Sequence, residues 1–126
     1  MPIRWKILPP PDRLVLATAE GPVGLQEIAD YLEALVIANA QPYAKLFDAS
    51  AMEVTITDDE LMLLGARMRA YDHEWPDKAG PLAIVSTRPE TEVWARRFLN
   101  LAGMRRPARL FDDLQLASLW LKDQQK

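Results

Sequence analysis

Residues 43–61, YAKLFDASAMEVTITDDEL, contain the stretch that decides the fold. Its first five residues are mostly apolar, as in a short buried strand, and Asp48 follows them. A loop over 50–57 then leads to an acidic helix start, where Thr57 and Glu60 have the spacing of a capping box. In α/β folds, ligands and regulatory groups commonly lie where a strand ends and a helix begins. The stretch therefore predicts an α/β fold with a candidate site at this edge.

The same alternation of strands and helices extends to both ends of the chain. The apolar patterns predict strands over 4–8, 13–19, 43–47, 81–85 and 107–111, and helices over 24–38, 58–71 and 89–103 and after Asp112. The first two strands form an antiparallel hairpin. The order β-β-α-β-α-β-α-β-α requires right-handed crossovers between parallel strands. We therefore expect an α/β fold with a single-layer, mixed and mainly parallel sheet and four helices, in one domain over 1–126.

Several local features accompany this prediction. Residues 20–22 (EGP) break the chain after the second strand, and residues 72–80 form a polar loop. Thr87 and Glu90 repeat the capping-box spacing, with Pro89 in the first helical turn and Gly103 ending that helix. The apolar residues of the last helix are Leu116, Leu119 and Trp120.

Composition excludes much chemistry. The chain of 126 residues is 49% hydrophobic and 26% charged, with a net charge of −3, and so lacks the basic balance of a nucleic-acid-binding protein. It has no cysteine and one histidine, so thiol chemistry, Cys-ligated zinc and His clusters are excluded. No apolar run is long enough to span a membrane, and no signal-peptide h-region is found. We expect a cytoplasmic protein with no nucleotide-binding motif, cofactor or metal.

The element order and the D-x-S of Asp48 and Ser50 resemble the STAS domain of anti-sigma-factor antagonists. The chain is more similar to the SpoIIAA-like branch of small bacterial proteins, which is called STAS-like or STAS/SEC14-like. Ile56 and Leu61 match the apolar positions that flank the family's D-S-[ST]-G segment, whose place is taken here by residues 57–60. The resemblance covers almost the whole chain and implies the fold and a protein-binding edge.

The chain departs from the family at the phosphorylated position. In the antagonists a serine of this segment is phosphorylated by a partner kinase, and the phosphate switches partner binding. Asp58 stands at that position here and Asp59 follows it, so the acceptor hydroxyl is absent. The two carboxylates either favour the helix macrodipole or partly imitate a permanent phosphate.

The other residues of this edge have two interpretations each. Ser50 and Thr55 either accept a phosphate or bond to nearby backbone groups. We expect Asp48 to anchor the following loop through its backbone amides. The alternative, a phosphate acceptor like that of receiver domains, lacks the acidic pair after the first core strand and the lysine after a later strand. The candidate partner-binding or regulatory residues are therefore Asp48, Ser50, Thr55, Thr57, Asp58 and Asp59.

Two further groups of residues are candidates. The segment 88–109 is rich in arginine, and Arg88, Arg96 and Arg97 either contact an anionic partner or form a solvated surface with internal salt bridges. His73 lies beside carboxylates in the predicted loop, where a metal site and a plain solvated loop are the alternatives. Trp75, if exposed in the same loop, marks a contact surface.

These features favour a non-catalytic interaction or regulatory module with a protein partner and no nucleic acid. The alternative is a carrier of a small lipid or amphipathic ligand. A fully packed core would exclude this alternative. Methionines would provide an adaptable lining for the ligand, namely Met52, Met62, Met68 and Met104. An enzyme would need Asp48, Asp58 and Asp59 to share a proton, and we expect no enzyme. The edge strand 4–8 also allows a homodimer.

Overall fold

The computed structural model describes residues 2–74, 80–102 and 107–124. This part of the chain has the predicted element order. Its strands are β1 (Ile3–Leu8), β2 (Leu14–Val23), β3 (Ala44–Val54), β4 (Leu82–Val85) and β5 (Ala108–Phe111), and its helices are α1 (Leu25–Ile37), α2 (Asp58–Glu74), α3 (Pro89–Ala102) and α4 (Leu114–Gln124). No helix in these ranges has the length and apolar character needed to cross a bilayer.

The five strands form one sheet in the order β1-β2-β3-β4-β5. β1 is antiparallel to β2, and every other neighbouring pair is parallel. Because each right-handed crossover moves to the next strand in the same direction, α1, α2 and α3 lie on one face of the sheet. α4 packs against β3, β4 and β5 on the other face. The predicted fold class, a mixed and mainly parallel sheet with four helices, is confirmed.

The core has two parts, one on each face of the sheet. The larger part joins the three crossover helices to inward residues such as Val15, Phe47 and Ile84. The smaller part joins Ala117 and Leu121 of α4 to strand residues that point to the other face of the sheet, such as Leu46 and Val85. Successive residues of a strand point to opposite faces, so these residues alternate with those of the larger part.

Strands β2 and β3 are longer than the sequence predicted. The break expected at residues 20–22 is wrong, because β2 continues through it and pairs with β3 as far as Val23 and Val54. Gly21 has φ +72°, and β1 pairs only as far as Ala19, so Pro22 lies in a part of β2 with no strand on its outer side within the described residues. The loop predicted over 50–57 is correspondingly reduced to residues 55–57.

Three helix predictions are also corrected. α2 continues to Glu74, so the residues at 72–74 are helical and not a loop. At α3 the predicted capping box of Thr87 and Glu90 does not form. The helix begins at Pro89, and the N–H of Arg88, just before it, bonds to the Ser86 hydroxyl. Asp113, not Asp112, caps α4, since its Oδ1 accepts the N–H of Leu116 at 3.0 Å.

The apolar face of α4 differs in part from the predicted one. Trp120 packs against the smaller part of the core and contacts the Phe111 ring, as predicted. Ala117 and Leu121 are buried beside it, whereas Leu116 and Leu119 are 55% and 58% exposed. Some predictions concern residues outside the described ranges, namely those for Trp75, Gly103 and Met104 and for Asp77, Arg105 and Arg106.

Candidate functional site

Asp48 has a structural role within β3. Thr18 of β2 pairs with Asp48, and Glu20 pairs with Ala51, so β3 carries one extra residue between these pairs. This is a β-bulge, and the Asp48 carboxylate accepts the N–H of Ser50 there at 3.0 Å. The expected anchoring of a backbone amide is confirmed, although it occurs inside a strand and not in a loop. The hydroxyl of Ser50 has no role that the structure identifies.

Thr55 and Thr57 lie at the two ends of the short loop between β3 and α2, and each forms hydrogen bonds with neighbouring groups. The Thr55 hydroxyl donates to the carbonyl of Val23 at 3.0 Å. Thr57 forms the predicted capping box, in which its N–H donates to Glu60 Oε1 at 3.0 Å and its Oγ1 accepts the N–H of Glu60 at 3.2 Å. These contacts account for both threonines as parts of the strand-to-helix connection.

Asp58 forms an ion pair with α3. Its Oδ1 lies 2.7 Å from Nη1 of Arg97, and both side chains are largely exposed. Asp59 is exposed in the same helical turn. The Asp58 carboxylate at the start of α2 is therefore paired with an arginine across the α2–α3 surface.

The three arginines proposed to contact an anion lie in or next to α3. Arg96 is exposed, Arg97 pairs with Asp58, and Nη1 of Arg88 donates to the carbonyl of Met52 at 3.4 Å. Arg109 lies over the Phe111 ring on the α4 side of the sheet. Among the described residues, Arg109 is therefore separated from the α3 arginines by the sheet.

The three carboxylates that the enzyme alternative would need are not brought together. Asp48 pairs with Val85, which belongs to the α4 side of the core, whereas Asp58 pairs with α3 on the other side. A proton shared between Asp48 and the pair Asp58 and Asp59 is therefore excluded by geometry. Within 2–74, 80–102 and 107–124, no three His, Asp or Glu side chains come close enough to hold a metal ion. His73 is exposed in the last turn of α2.

An apolar concave feature lies elsewhere, between α1, α2 and the sheet. It is a cavity of about 290 Å³ with an almost entirely apolar wall. The strands contribute Phe47, Leu82 and Ile84 to its wall, and α3 contributes the stacked rings of Trp94 and Phe98. α1 and α2 make few contacts with each other, which leaves the space between them open.

The mouth of the cavity lies between the C-terminal halves of α1 and α2. Glu33 and Val36 of α1 and Arg67 of α2 line the cavity and are exposed to solvent. Of the four methionines expected to line a ligand site, only Met68 does so among the described residues, since Met52 is fully buried elsewhere in the core and Met62 is exposed.

Lys45 is the unusual residue of the cavity wall. Its side chain is 5% exposed although it lies in an apolar strand. Its Nζ donates to the backbone carbonyl of Gln41 and, at 2.8 Å, to that of Tyr43. Sequence analysis overlooked this residue, and the lysine inside the apolar run YAKLF was the available signal, because lysine is rarely buried without partners.

Comparison with known proteins defines the class of fold. No protein-family model and no curated protein matches the chain. Among solved structures, the chain is similar to an uncharacterized protein of the DUF3478 family from Shewanella loihica, which has a SpoIIAA-like fold. The match covers 94% of this chain and 93% of that protein, with a TM-score of 0.59 and 18% sequence identity. The chain therefore has a SpoIIAA-like fold, as the sequence resemblance implied.

Proposed function

We propose that this protein is a non-catalytic binding module that holds a small apolar or amphipathic molecule between α1 and α2. The observation that carries the proposal is the apolar cavity of about 290 Å³. Small-molecule sites are typically concave, mostly apolar and supplied with a few polar groups, and this cavity has that character. Its size is near the lower end of the range for ligand pockets, about 300–1,000 Å³.

The character of the cavity wall supports the same proposal. The cavity opens to solvent at its mouth, and its wall is almost entirely apolar. Removing apolar surface from water is favourable by about 25 cal/mol per Å². A ligand that covers this wall would therefore bind mainly through the hydrophobic effect.

Calorimetric titration with decan-1-ol tests the proposal. We expect saturable binding at one site in the wild-type protein and loss of that binding in Ala29→Phe, because Ala29 lines the cavity and a phenyl ring would fill it. Ala66→Phe is the matched control, since Ala66 is exposed on α2 and does not line the cavity. Binding that is absent in the wild type, or equal in Ala29→Phe, would refute the proposal.

A second candidate function is the protein-interaction module that the STAS resemblance implies. The supporting observation is an exposed surface around the Asp58–Arg97 ion pair. Met62 lies one helical turn after Asp58, and Val93 lies one turn before Arg97, so both flank the pair. They are 58% and 59% exposed, and large apolar side chains beside a charged pair suit a protein contact.

The second candidate requires its own test. A pull-down from host lysate should recover a stoichiometric protein partner with the wild type and lose it with Val93→Lys. Leu116→Lys is the matched control, because Leu116 is a similarly exposed apolar residue on α4. The double variant Asp58→Ser with Asp59→Ser separates the roles further: unchanged partner affinity would exclude the idea that these carboxylates imitate a phosphate.

A further inference from the structure

We infer that the ligand of the α1–α2 cavity carries a hydrogen-bond acceptor within its apolar body, such as a ketone, ester or ether oxygen, and that the indole N–H of Trp94 binds it. This inference rests on the proposed function and specifies the chemical class of the ligand. It is carried by a buried donor in the cavity wall that has no acceptor among the described residues.

Trp94 lines the cavity and has a polar atom that the fold does not use. The residue belongs to α3 and is 9% exposed, and its Nε1 atom is buried. Among residues 2–74, 80–102 and 107–124, no group accepts a hydrogen bond from this atom. The indole nitrogen can only donate, so its partner has to be an acceptor.

A buried donor without an acceptor is uncommon in a folded protein. Buried tryptophans usually find a partner for their N–H, and a buried polar group that lacks one keeps the full cost of leaving water. A phenylalanine in the same place would line the cavity without that cost. A ligand acceptor that bonds to Nε1 would remove the cost, so Trp94 is suited to recognise such a group.

The stacking of Trp94 on Phe98 limits the direction from which an acceptor can approach. The two rings lie one helical turn apart on α3, with their centroids 5.7 Å apart and their planes at 7°. Phe98 therefore covers one face of the indole. The N–H bond lies in the plane of the indole, so the acceptor has to lie at the edge of the ring and not over its face.

This donor is separate from the charged groups at the mouth of the cavity. Glu33 and Arg67 are exposed side chains of α1 and α2, whereas Trp94 is a buried residue of α3. A buried water typically makes about three hydrogen bonds, and an almost entirely apolar wall offers few groups for it. A ligand with an apolar body and an internal carbonyl or ether oxygen matches both the wall and the donor.

Two probes of equal shape test the inference on the full chain. Acetophenone has a carbonyl oxygen where α-methylstyrene has a CH₂ group, and the two molecules are otherwise alike. A cavity of about 150 Å³ accommodates benzene, so both probes are small enough for a cavity of about 290 Å³. The ratio of their dissociation constants measures the preference for an acceptor.

Calorimetric titration should show that Trp94→Phe reduces this preference about tenfold relative to the wild type, which corresponds to about 1.4 kcal/mol. Any change in cavity volume affects both probes alike, so it cancels in the ratio. Trp120→Phe is the matched control, because Trp120 packs on the α4 side of the sheet and does not line the cavity. This control should leave the ratio unchanged.

Nuclear magnetic resonance of the isotope-labelled wild type gives a readout that does not depend on the folding of a variant. Acetophenone should move the indole N–H proton resonance of Trp94 downfield by more than α-methylstyrene, which carries the same aromatic ring. The resonance is assigned by its absence in Trp94→Phe or, if that variant does not fold, by substituting the other tryptophans in turn.

The outcomes separate this inference from the proposed function. An equal ratio in the wild type and in Trp94→Phe, or equal shifts with the two probes, would overturn the acceptor while leaving the ligand site intact. Binding of decan-1-ol without binding of acetophenone would overturn it as well. If none of the three molecules binds the wild type, the proposed function itself fails.

Discussion

At the scale of single residues, some of the candidate site residues make hydrogen bonds that support the fold. Asp48 supports the bulge in β3, and Thr57 caps α2. The spacing of Thr57 and Glu60 correctly predicted this capping box, whereas the same spacing at Thr87 and Glu90 predicted one that does not form. The sequence did not predict the bulge, because the extra residue is defined only by pairing with β2, which is distant in the sequence.

Asp48 gives the first prediction. Asp48→Ala removes the acceptor of the Ser50 N–H, so we expect the free energy of unfolding to fall by about 1–3 kcal/mol. Asp48→Asn keeps an oxygen at the same place and should cost clearly less. Urea denaturation measures both variants. Equal losses in the two variants would show that the hydrogen bond is not the reason for the aspartate.

The two predicted capping boxes give a matched pair of variants. Thr57→Ala should lower the free energy of unfolding by about 0.5–2 kcal/mol, because it leaves the N–H of Glu60 without its acceptor. Thr87→Ala should change it by less than about 0.5 kcal/mol, since Thr87 is exposed and does not cap α3. Thermal and urea denaturation of both proteins test this, and a larger effect at Thr87 than at Thr57 would contradict the conclusion that Thr87 does not cap α3.

At the scale of elements, the order of strands and helices followed from the sequence, but the ends of β2, β3 and α2 did not. The turn residues at 20–22 predict a break only if no neighbouring strand is available to pair with them. β3 supplies that neighbour as far as Val54. Local propensity was therefore overridden by tertiary pairing.

The buried face of α4 shows the same limit. Leu116, Leu119 and Trp120 have helical spacing, and so do Ala117 and Leu121, so periodicity does not decide which set faces the sheet. In the structure the small Ala117 side chain lies against the sheet, and Leu121 is buried beside it.

A pair of truncations tests this face of α4. Leu121→Ala should destabilise the protein by about 2–5 kcal/mol, because it leaves a cavity beneath the helix. Leu119→Ala should change the free energy of unfolding by less than about 0.5 kcal/mol, because its side chain is mostly exposed. Urea denaturation separates the two, and the reverse order would support the face expected from the sequence.

At the scale of the whole molecule, the SpoIIAA-like fold was predictable from the sequence and the ligand cavity was not. Alternating elements determine a mainly parallel sheet through the handedness of the crossovers. The cavity depends on how far α1 and α2 stand apart, which is set by side-chain packing over the whole of that face. Only the lysine at position 45 indicated in the sequence that this face contains more than a packed core.

The central claim is that the cavity between α1 and α2 is occupied by a small molecule when the protein functions. Native mass spectrometry of the protein purified from its own host tests it most directly, with Ala29→Phe as the comparison. We predict a wild-type mass that includes one small amphipathic molecule, which the Ala29→Phe protein lacks. An unliganded mass for the wild type, or the same adduct on both proteins, would contradict the claim.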